Sequence, residues 1–180
     1  MWVFFVVLGL FLFVGLLALI GQRLPETYRA RRRLTLPASV EEVWELLTDH
    51  RREPEWRPEL AEVEVYGEQQ GKPLWRERHK RGERRTLVTE ESEAPHKLVR
   101  SLAGVERRSF TATWTYRLEA LDESDSPRTQ VTVEEEMNIT HPVYRLLSRY
   151  VFGNGAFSQQ YLTALAQHYD REPSAIEVLE

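Results

Sequence analysis

The sequence contains no cysteine, and this absence removes several kinds of chemistry at once. Disulfide bonds, thiolate-bound metals and cysteine nucleophiles are all excluded. The five histidines have no metal-ligand spacing among themselves, and there is no glycine-rich phosphate loop and no Gly-x-Ser-x-Gly motif. We therefore predict no metal site and no cofactor, and the sequence holds no recognisable catalytic motif.

An excess of positive charge is also missing, because the net charge is −4. Nucleic acid is therefore not an expected partner. The charge is unevenly distributed along the chain. Residues 22–33 contain five arginines and one glutamate, whereas residues 170–180 are acidic.

Residues 2–20 lack any charged or polar side chain. At 1.5 Å per residue, about 20 apolar residues span the hydrocarbon core of a bilayer, so this segment predicts a transmembrane helix. The alternative is a cleaved signal peptide, which needs a basic segment before a shorter apolar core and a small-x-small cleavage site. Nothing basic precedes this core, and Ala18-Leu19-Ile20 is a poor cleavage site.

The arginines that follow this helix predict its orientation. Basic residues are enriched on the cytoplasmic side of membrane helices. We therefore expect a single-pass membrane protein with its C-terminal domain in the cytoplasm.

The remainder of the chain predicts a soluble α+β domain. Residues 27–36 have the pattern of a strand, and Ser39 with Glu42 forms a capping box before a short helix. Further short strands are predicted at residues 61–66, 73–80, 84–91, 97–103, 109–121 and 128–139. A long helix is then predicted from Pro142 to about residue 169, interrupted at Gly153-Asn-Gly155.

Three phrases in this order resemble a known superfamily. They are Leu36-Pro-Ala-Ser-Val-Glu-Glu-Val-Trp-Glu-Leu-Leu-Thr-Asp49, Pro54-Glu-Trp56-Arg-Pro58 and Phe110-Thr-Ala-Thr-Trp-Thr-Tyr116, followed by the terminal helix. The sequence resembles the START-like, helix-grip SRPBCC superfamily, and within it the polyketide cyclase/dehydrase and lipid-transport type. The resemblance implies an antiparallel sheet of about seven strands wrapped around a long C-terminal helix, with a hydrophobic cavity between them. It carries over no catalytic residue.

The predicted domains follow from these segments. They are a transmembrane anchor at residues 1–21, a juxtamembrane linker at 22–26, the START-like domain at 27–169 and a flexible acidic tail at 170–180.

Nine residues are candidates for lining a ligand cavity. Such cavities are mostly apolar, with a few polar groups that orient the ligand. The candidates are Trp56, Trp75, Phe110, Trp114, Tyr116, Glu135, Met137, Phe157 and Tyr161. The alternative for each of them is a place in an ordinary filled core.

Glu135 is the polar residue of this set, and it is in phase with Val133 and Met137, so it is expected to face inward. Arg32 lies on the first strand, which neighbours the last strand in the helix-grip arrangement, so the two could pair. A buried carboxylate requires a partner or a raised pKa. Glu135 is therefore a ligand anchor or a general acid or base, and the alternatives are an ion pair at the rim or a local bulge that reverses the phase of the strand.

The segment from Arg76 to Arg85 holds six basic side chains and two glutamates. We predict that Arg78, Lys80, Arg81 and Arg84 contact anionic lipid headgroups. The alternative is a solvated pair of strands.

Taken together, these features predict a membrane-anchored binding domain for a lipid-like or other hydrophobic small molecule, with the bilayer and that molecule as its partners. Two alternatives stay open. One is a cyclase- or aromatase-type enzyme acting on a hydrophobic ligand, and the other is a membrane-tethered interaction module with a filled core.

Overall fold

The molecule consists of a long N-terminal helix and an α+β domain. The computed structural model describes residues 2–103, 110–121, 126–153 and 155–179. Helix α1 (Trp2–Gln22) leaves most of its side chains exposed, and Gly21 is the residue of this helix that is buried. Of the helices in the described ranges, α1 is the one long and apolar enough to cross a membrane, a test that a signal sequence also meets.

An antiparallel sheet of eight strands forms most of the domain. In space the strands follow the order β2-β3-β4-β5-β6-β7-β1-β8. Their bounds are β1 (Thr27–Leu36), β2 (Leu60–Gln69), β3 (Lys72–His79), β4 (Arg84–Glu93), β5 (Lys97–Leu102), β6 (Phe110–Ala120), β7 (Thr129–Ile139) and β8 (Glu177–Leu179). The predicted strands and the α+β helix-grip architecture are confirmed.

Strand β6 shows how the sequence selects the buried face of this sheet. Ala112, Trp114, Tyr116 and Leu118 are buried, and the residues between them are more exposed. Successive side chains on a strand point to opposite faces, so the alternating pattern places one apolar row on the core side.

Helix α2 (Val40–Thr48) begins at the predicted capping box. The Ser39 hydroxyl accepts from the Glu42 amide, and the Glu42 carboxylate accepts from the Ser39 amide. Both exchanges satisfy donors that a helix start would otherwise leave unpaired. Val43 and Leu47 on the apolar face of α2 are buried in the main core.

The C-terminal helical region has three parts. It consists of α4 (Pro142–Leu147), a π-helical turn (Ser148–Phe152) and α5 (Ala156–His168), which packs against β1 and β7. The predicted interruption is confirmed at Gly153 and Gly155, whereas Asn154 lies outside the described residues. Gly155 has a φ of +75°, and a Cβ there would overlap Ala30 and the Arg32 guanidinium, so only glycine fits.

Two short elements were not predicted from the sequence. Strand β8 lies in the predicted flexible tail and pairs with β1 through Arg31–Arg33. The four-residue helix α3 (Glu53–Trp56) contains Pro54 at its second position, which tolerates proline. Ser109, the predicted first residue of the sixth strand, lies outside the described residues.

Candidate functional site

A cavity of about 630 Å³ lies between the sheet and the C-terminal helical region. This volume is within the range of about 300–1,000 Å³ that small-molecule sites occupy. Its walls come from β1, β4–β7, α4, the π-helical turn and α5. The lining residues are Tyr28, Arg85, Leu102, Phe110, Ala112, Trp114, Glu135, Met137, Ile139, Tyr144, Ser148, Gly153, Ala156 and Phe157.

The sheet contributes alternating residues to this wall because one face of each strand points inward. Five of the nine candidate residues line the cavity: Phe110, Trp114, Glu135, Met137 and Phe157. Trp114 and Phe157 pack with ring centroids 4.3 Å apart, so the aromatic part of the wall is continuous from the sheet to α5.

The other four candidates, Trp56, Trp75, Tyr116 and Tyr161, are not among the residues that line this cavity. Tyr161 packs between Trp56 and Tyr116, with ring centroids 5.2 Å and 5.1 Å away. Trp75 contacts His50 beside a void of about 10 Å³, which is too small for a ligand. Trp56, Tyr116 and Tyr161 are therefore residues of the filled core, and Trp75 is a partly buried neighbour of His50.

Glu135 is fully buried in the wall of the cavity. Its Oε2 accepts a hydrogen bond of 3.0 Å from the amide of Ser158, the third residue of α5. A carboxylate is favourable there because a helix N-terminus carries unpaired amides and a partial positive charge. The helix start therefore stabilises a charge inside an apolar cavity.

Arg32 approaches the same helix start by a different route. Its register partner on β7 is Val133, whereas Ala30 lies opposite Glu135. Arg32 donates to the Ser158 hydroxyl at 2.8 Å and to Gln159 Oε1 at 3.0 Å. The first and last predicted strands are neighbours as expected, and Arg32 and Glu135 converge on Ser158.

Tyr28 adds a hydroxyl to the cavity wall, and this hydroxyl donates to the sulfur of Met137 at 3.3 Å. Burial raises the pKa of Tyr28, and the nearby Glu135 charge raises it further. The phenol is therefore protonated at neutral pH and can serve as a hydrogen-bond donor. Glu135 and Tyr28 give the apolar cavity one polar region.

A network of buried charges lies behind the cavity, and the sequence analysis did not predict it. Arg57 donates to Glu53 Oε2 at 2.6 Å and to Glu77 Oε1 at 2.5 Å. Arg100 donates to Glu53 Oε1 at 2.9 Å and approaches His50 Nδ1 at 2.8 Å. These side chains are all more than nine-tenths buried. Arginines and carboxylates balance one another, which buried charges require.

The ionisation of this network follows from its pairing. Burial alone would raise the pKa of Glu53, but Arg100, His50 and Arg57 outweigh it and hold the pKa well below its usual range. Burial alone would also raise the pKa of Glu77, but the charge of Arg57 and hydrogen bonds outweigh it, so this pKa is lowered. The pKa of His50 is lowered by burial and then by Arg100, so this histidine is neutral at pH 7.

The network also supports the cavity wall. The Arg57 guanidinium lies 5.7 Å from the centroid of the Phe157 ring and 5.3 Å from that of Tyr161. Such cation–π contacts orient aromatic rings. The strand pattern did hold a signal for part of this network, because Glu77 is in phase with Trp75, and Arg100 with Leu98 and Leu102.

A second hollow of about 680 Å³ lies between α2 and the end of α5. Its lining is mostly ionisable or polar: Glu42, Glu45, Leu46, Thr48, Asp49, Arg52, His168 and Tyr169. In the described part of the chain, no group of three His, Asp or Glu side chains could hold a metal ion. The apolar cavity is therefore the candidate site.

Comparison with known proteins identifies the family and supports the fold. Residues 27–169 match the model of the family described as polyketide cyclase / dehydrase and lipid transport. The chain belongs to this family. The match begins at β1 and ends one residue after α5, so it covers the whole cavity and leaves out α1. No curated protein matches the chain.

Solved structures show the same fold at low sequence identity. A START superfamily protein from Mycobacterium smegmatis has a TM-score of 0.56 at 14% identity, covering 79% of this chain and 97% of that one. The Zhui aromatase/cyclase from Streptomyces sp. R1128 has a TM-score of 0.59 at 19% identity, covering 80% and 94%. Truncated norcoclaurine synthase from Thalictrum flavum has a TM-score of 0.59 at 11% identity, covering 81% and 96%. These likenesses establish a START-like fold.

Proposed function

We propose that this chain is a membrane-anchored binding domain for a hydrophobic, lipid-like small molecule. The observation that carries the proposal is the apolar cavity of about 630 Å³ with one buried carboxylate in its wall. A cavity of this size also argues against an interaction module with a filled core. The family description, which includes lipid transport, supports the same class of ligand.

The binding mechanism follows from the lining of the cavity. The apolar part of the ligand is removed from water between the sheet and the C-terminal helical region, which is the main favourable term. Glu135 accepts a hydrogen bond from the polar end, and the Tyr28 hydroxyl lies beside it. The preferred ligand is therefore an apolar molecule with a hydroxyl or amino group at one end.

Helix α1 serves as the anchor in this proposal. Its 21 residues extend about 31 Å, which matches a bilayer core. Gly21 at its end is buried against Pro142, and this packing supports α1 as a permanent part of the protein rather than a cleaved signal peptide. The arginines after the helix support a cytoplasmic domain, and Arg78, Lys80, Arg81 and Arg84 are proposed to contact the headgroups.

A second candidate function is a cyclase- or aromatase-type enzyme. The observation that favours it is the presence of two groups capable of proton transfer, Glu135 and Tyr28, in the cavity wall. The likeness to the aromatase/cyclase structure is one of fold. Turnover of a bound ligand that is lost in Glu135→Gln would favour this candidate over binding alone.

The proposed function is tested by thermal unfolding of the full chain in a neutral detergent with a panel of apolar alcohols and amines. A ligand that binds only the folded state raises Tm as its concentration rises. Ala112→Phe, which places a ring in the cavity, is expected to lose this response, whereas Ala120→Phe on the exposed end of β6 keeps it. A response that Ala112→Phe retains would contradict binding in this cavity.

A further inference from the structure

The junction between α1 and the domain is a packed contact. A Cβ on Gly21 would overlap the carbonyl of Pro142, so the end of α1 lies directly against the first turn of α4. A larger residue at position 21 would push the two helices apart.

Arg145 fixes the linker that follows α1. This buried side chain donates to the carbonyls of Ile139 at 2.7 Å and Thr140 at 2.8 Å, where β7 passes into α4. It also donates to the carbonyl of Leu24 at 3.3 Å and to Glu26 at 2.5 Å. The linker is therefore bound to the domain, and the direction of α1 determines which surface faces the bilayer.

The surface next to this junction is apolar and aromatic. Tyr144, Tyr150 and Val151 are 49%, 69% and 65% exposed, and we call these three residues the α4 face. Aromatic side chains of this kind are enriched at the boundary between lipid and water. The sequence from 137 to 169 contains no acidic residue, so nothing on this segment repels anionic headgroups.

The same segment forms the open side of the cavity. Tyr144, Ser148 and Gly153 line it, and Tyr144 and Gly153 are exposed. Phe110, which is 37% exposed, borders the cavity from the sheet. Phe110 pairs with Ile139 at the end of the sheet where β1 begins, directly after the linker that follows α1. The mouth of the cavity therefore lies beside the end of α1.

We propose that the α4 face lies in the headgroup layer of the bilayer that α1 spans, so that the cavity opens directly onto lipid. A membrane-resident ligand then enters the cavity without exposing its apolar surface to water. This inference rests on the proposed function, because it requires α1 to be a membrane anchor. It specifies the ligand as one drawn from the bilayer rather than from solution.

The absence of cysteine allows a direct test in the full chain, because a single introduced cysteine carries the only label. Val6→Cys reports on α1, and Tyr150→Cys reports on the α4 face. Ala120→Cys is the control, because it is exposed at the opposite end of β6. Each variant is labelled with an environment-sensitive fluorophore and reconstituted into vesicles of neutral and anionic phospholipid that contain nitroxide-bearing lipid as the quencher.

The expected result is loss of fluorescence at positions 6 and 150 and no loss at position 120. Quenching at position 6 with no quenching at position 150 would overturn the inference while leaving the anchor intact. No quenching at position 6 would overturn the anchor and the inference together. Val151→Cys repeats the measurement at a second exposed position, so a failure of Tyr150→Cys to fold leaves the proposal testable.

Discussion

Arg57 is a single residue that stabilises two parts of the molecule, the buried charge network and the cavity wall. It is 1% exposed and donates to Glu53, Glu77 and Glu59, the last at 2.9 Å. The same guanidinium packs on Phe157, which forms part of the cavity wall. Removing it would leave buried carboxylates without their partner, which costs more than the pair itself contributes.

We therefore predict that Arg57→Leu lowers the free energy of unfolding by about 3–5 kcal/mol. The matched control is Arg78→Leu, because Arg78 pairs with Glu62 at 2.6 Å while both side chains are half-exposed. An exposed pair contributes at most about 1 kcal/mol, so this control is expected to change little. Thermal or denaturant unfolding of the full chain in detergent measures both. Equal losses would contradict the importance of the buried network.

Single residues also show how far the sequence could predict the site. The inward direction of Trp114 and Glu135 followed from the alternation of β6 and β7. The pairing of Arg57 with Glu77 could not be predicted, because Arg57 follows α3 and Glu77 lies on β3, so only the fold brings them together. Charged residues are usually exposed, so the sequence analysis offered lipid contact or a solvated pair of strands for the segment that contains Glu77, and a buried position was not considered.

At the scale of elements, the buried network joins α3 to β3 and β5, and it makes the domain sensitive to acid. Below pH 6.5, the unfolded state takes up a proton at His50 while the folded state, whose His50 pKa is lowered, resists it. Below pH 4.5, the same holds for Glu53 and Glu77, whose folded pKa values are also lowered. Each group therefore contributes stability above its ordinary pKa that is lost as the pH falls.

Above about pH 7 these groups should leave the stability of the folded state unchanged. Below that pH, we expect the stability to fall in two stages, first through His50 and then through the glutamates. His50→Gln should remove the first stage, and Glu77→Gln should reduce the second. Tm of the full chain measured from pH 8 to pH 3 checks this prediction. A Tm that rises on acidification from pH 7 to pH 5 would contradict it.

The turn between β3 and β4 is the second element with a testable role. It lies at the end of the sheet where β1 begins, because Leu87 pairs with Leu102 and Phe110 pairs with Ile139. Lys80, Arg81 and Arg84 are exposed there. This position agrees with the proposed contact with anionic headgroups.

We predict that a fluorophore on Glu83→Cys is quenched by headgroup-attached quenchers in anionic vesicles and that high salt reduces this quenching. Charge interactions at a surface are screened beyond about 8 Å at physiological ionic strength. Replacing Arg78, Lys80, Arg81 and Arg84 by glutamine should abolish the effect in an otherwise folded chain. Equal quenching in neutral and anionic vesicles, or no quenching in either, would contradict the proposed contact with anionic headgroups.

The elements differ in how well the sequence could predict them. The capping box at Ser39 and the alternation in β6 are local signals, and both gave the correct element. Strand β8 depends on its pairing with β1, a tertiary contact that overrides local preference, so it was not predicted. The π-helical turn follows α4 directly, and no local pattern in the sequence marked it.

At the scale of the whole molecule, the proposed account joins the anchor to the cavity. The packed Gly21–Pro142 contact and the Arg145 hydrogen bonds place the mouth of the cavity beside the end of α1. A binding site held next to a bilayer meets its lipid ligands at a high effective concentration. The overall order of N-terminal apolar helix, sheet and C-terminal helix was predictable, whereas this relative placement needed the structure.

The central claim is that the cavity holds an apolar molecule, and native mass spectrometry of the full chain purified in neutral detergent tests it most directly. The account predicts one non-covalently bound molecule of lipid-like mass per chain. It also predicts loss of that molecule in Ala112→Phe and its retention in Ala120→Phe. A wild-type chain that carries no bound molecule, or a bound molecule that Ala112→Phe keeps, would contradict the account.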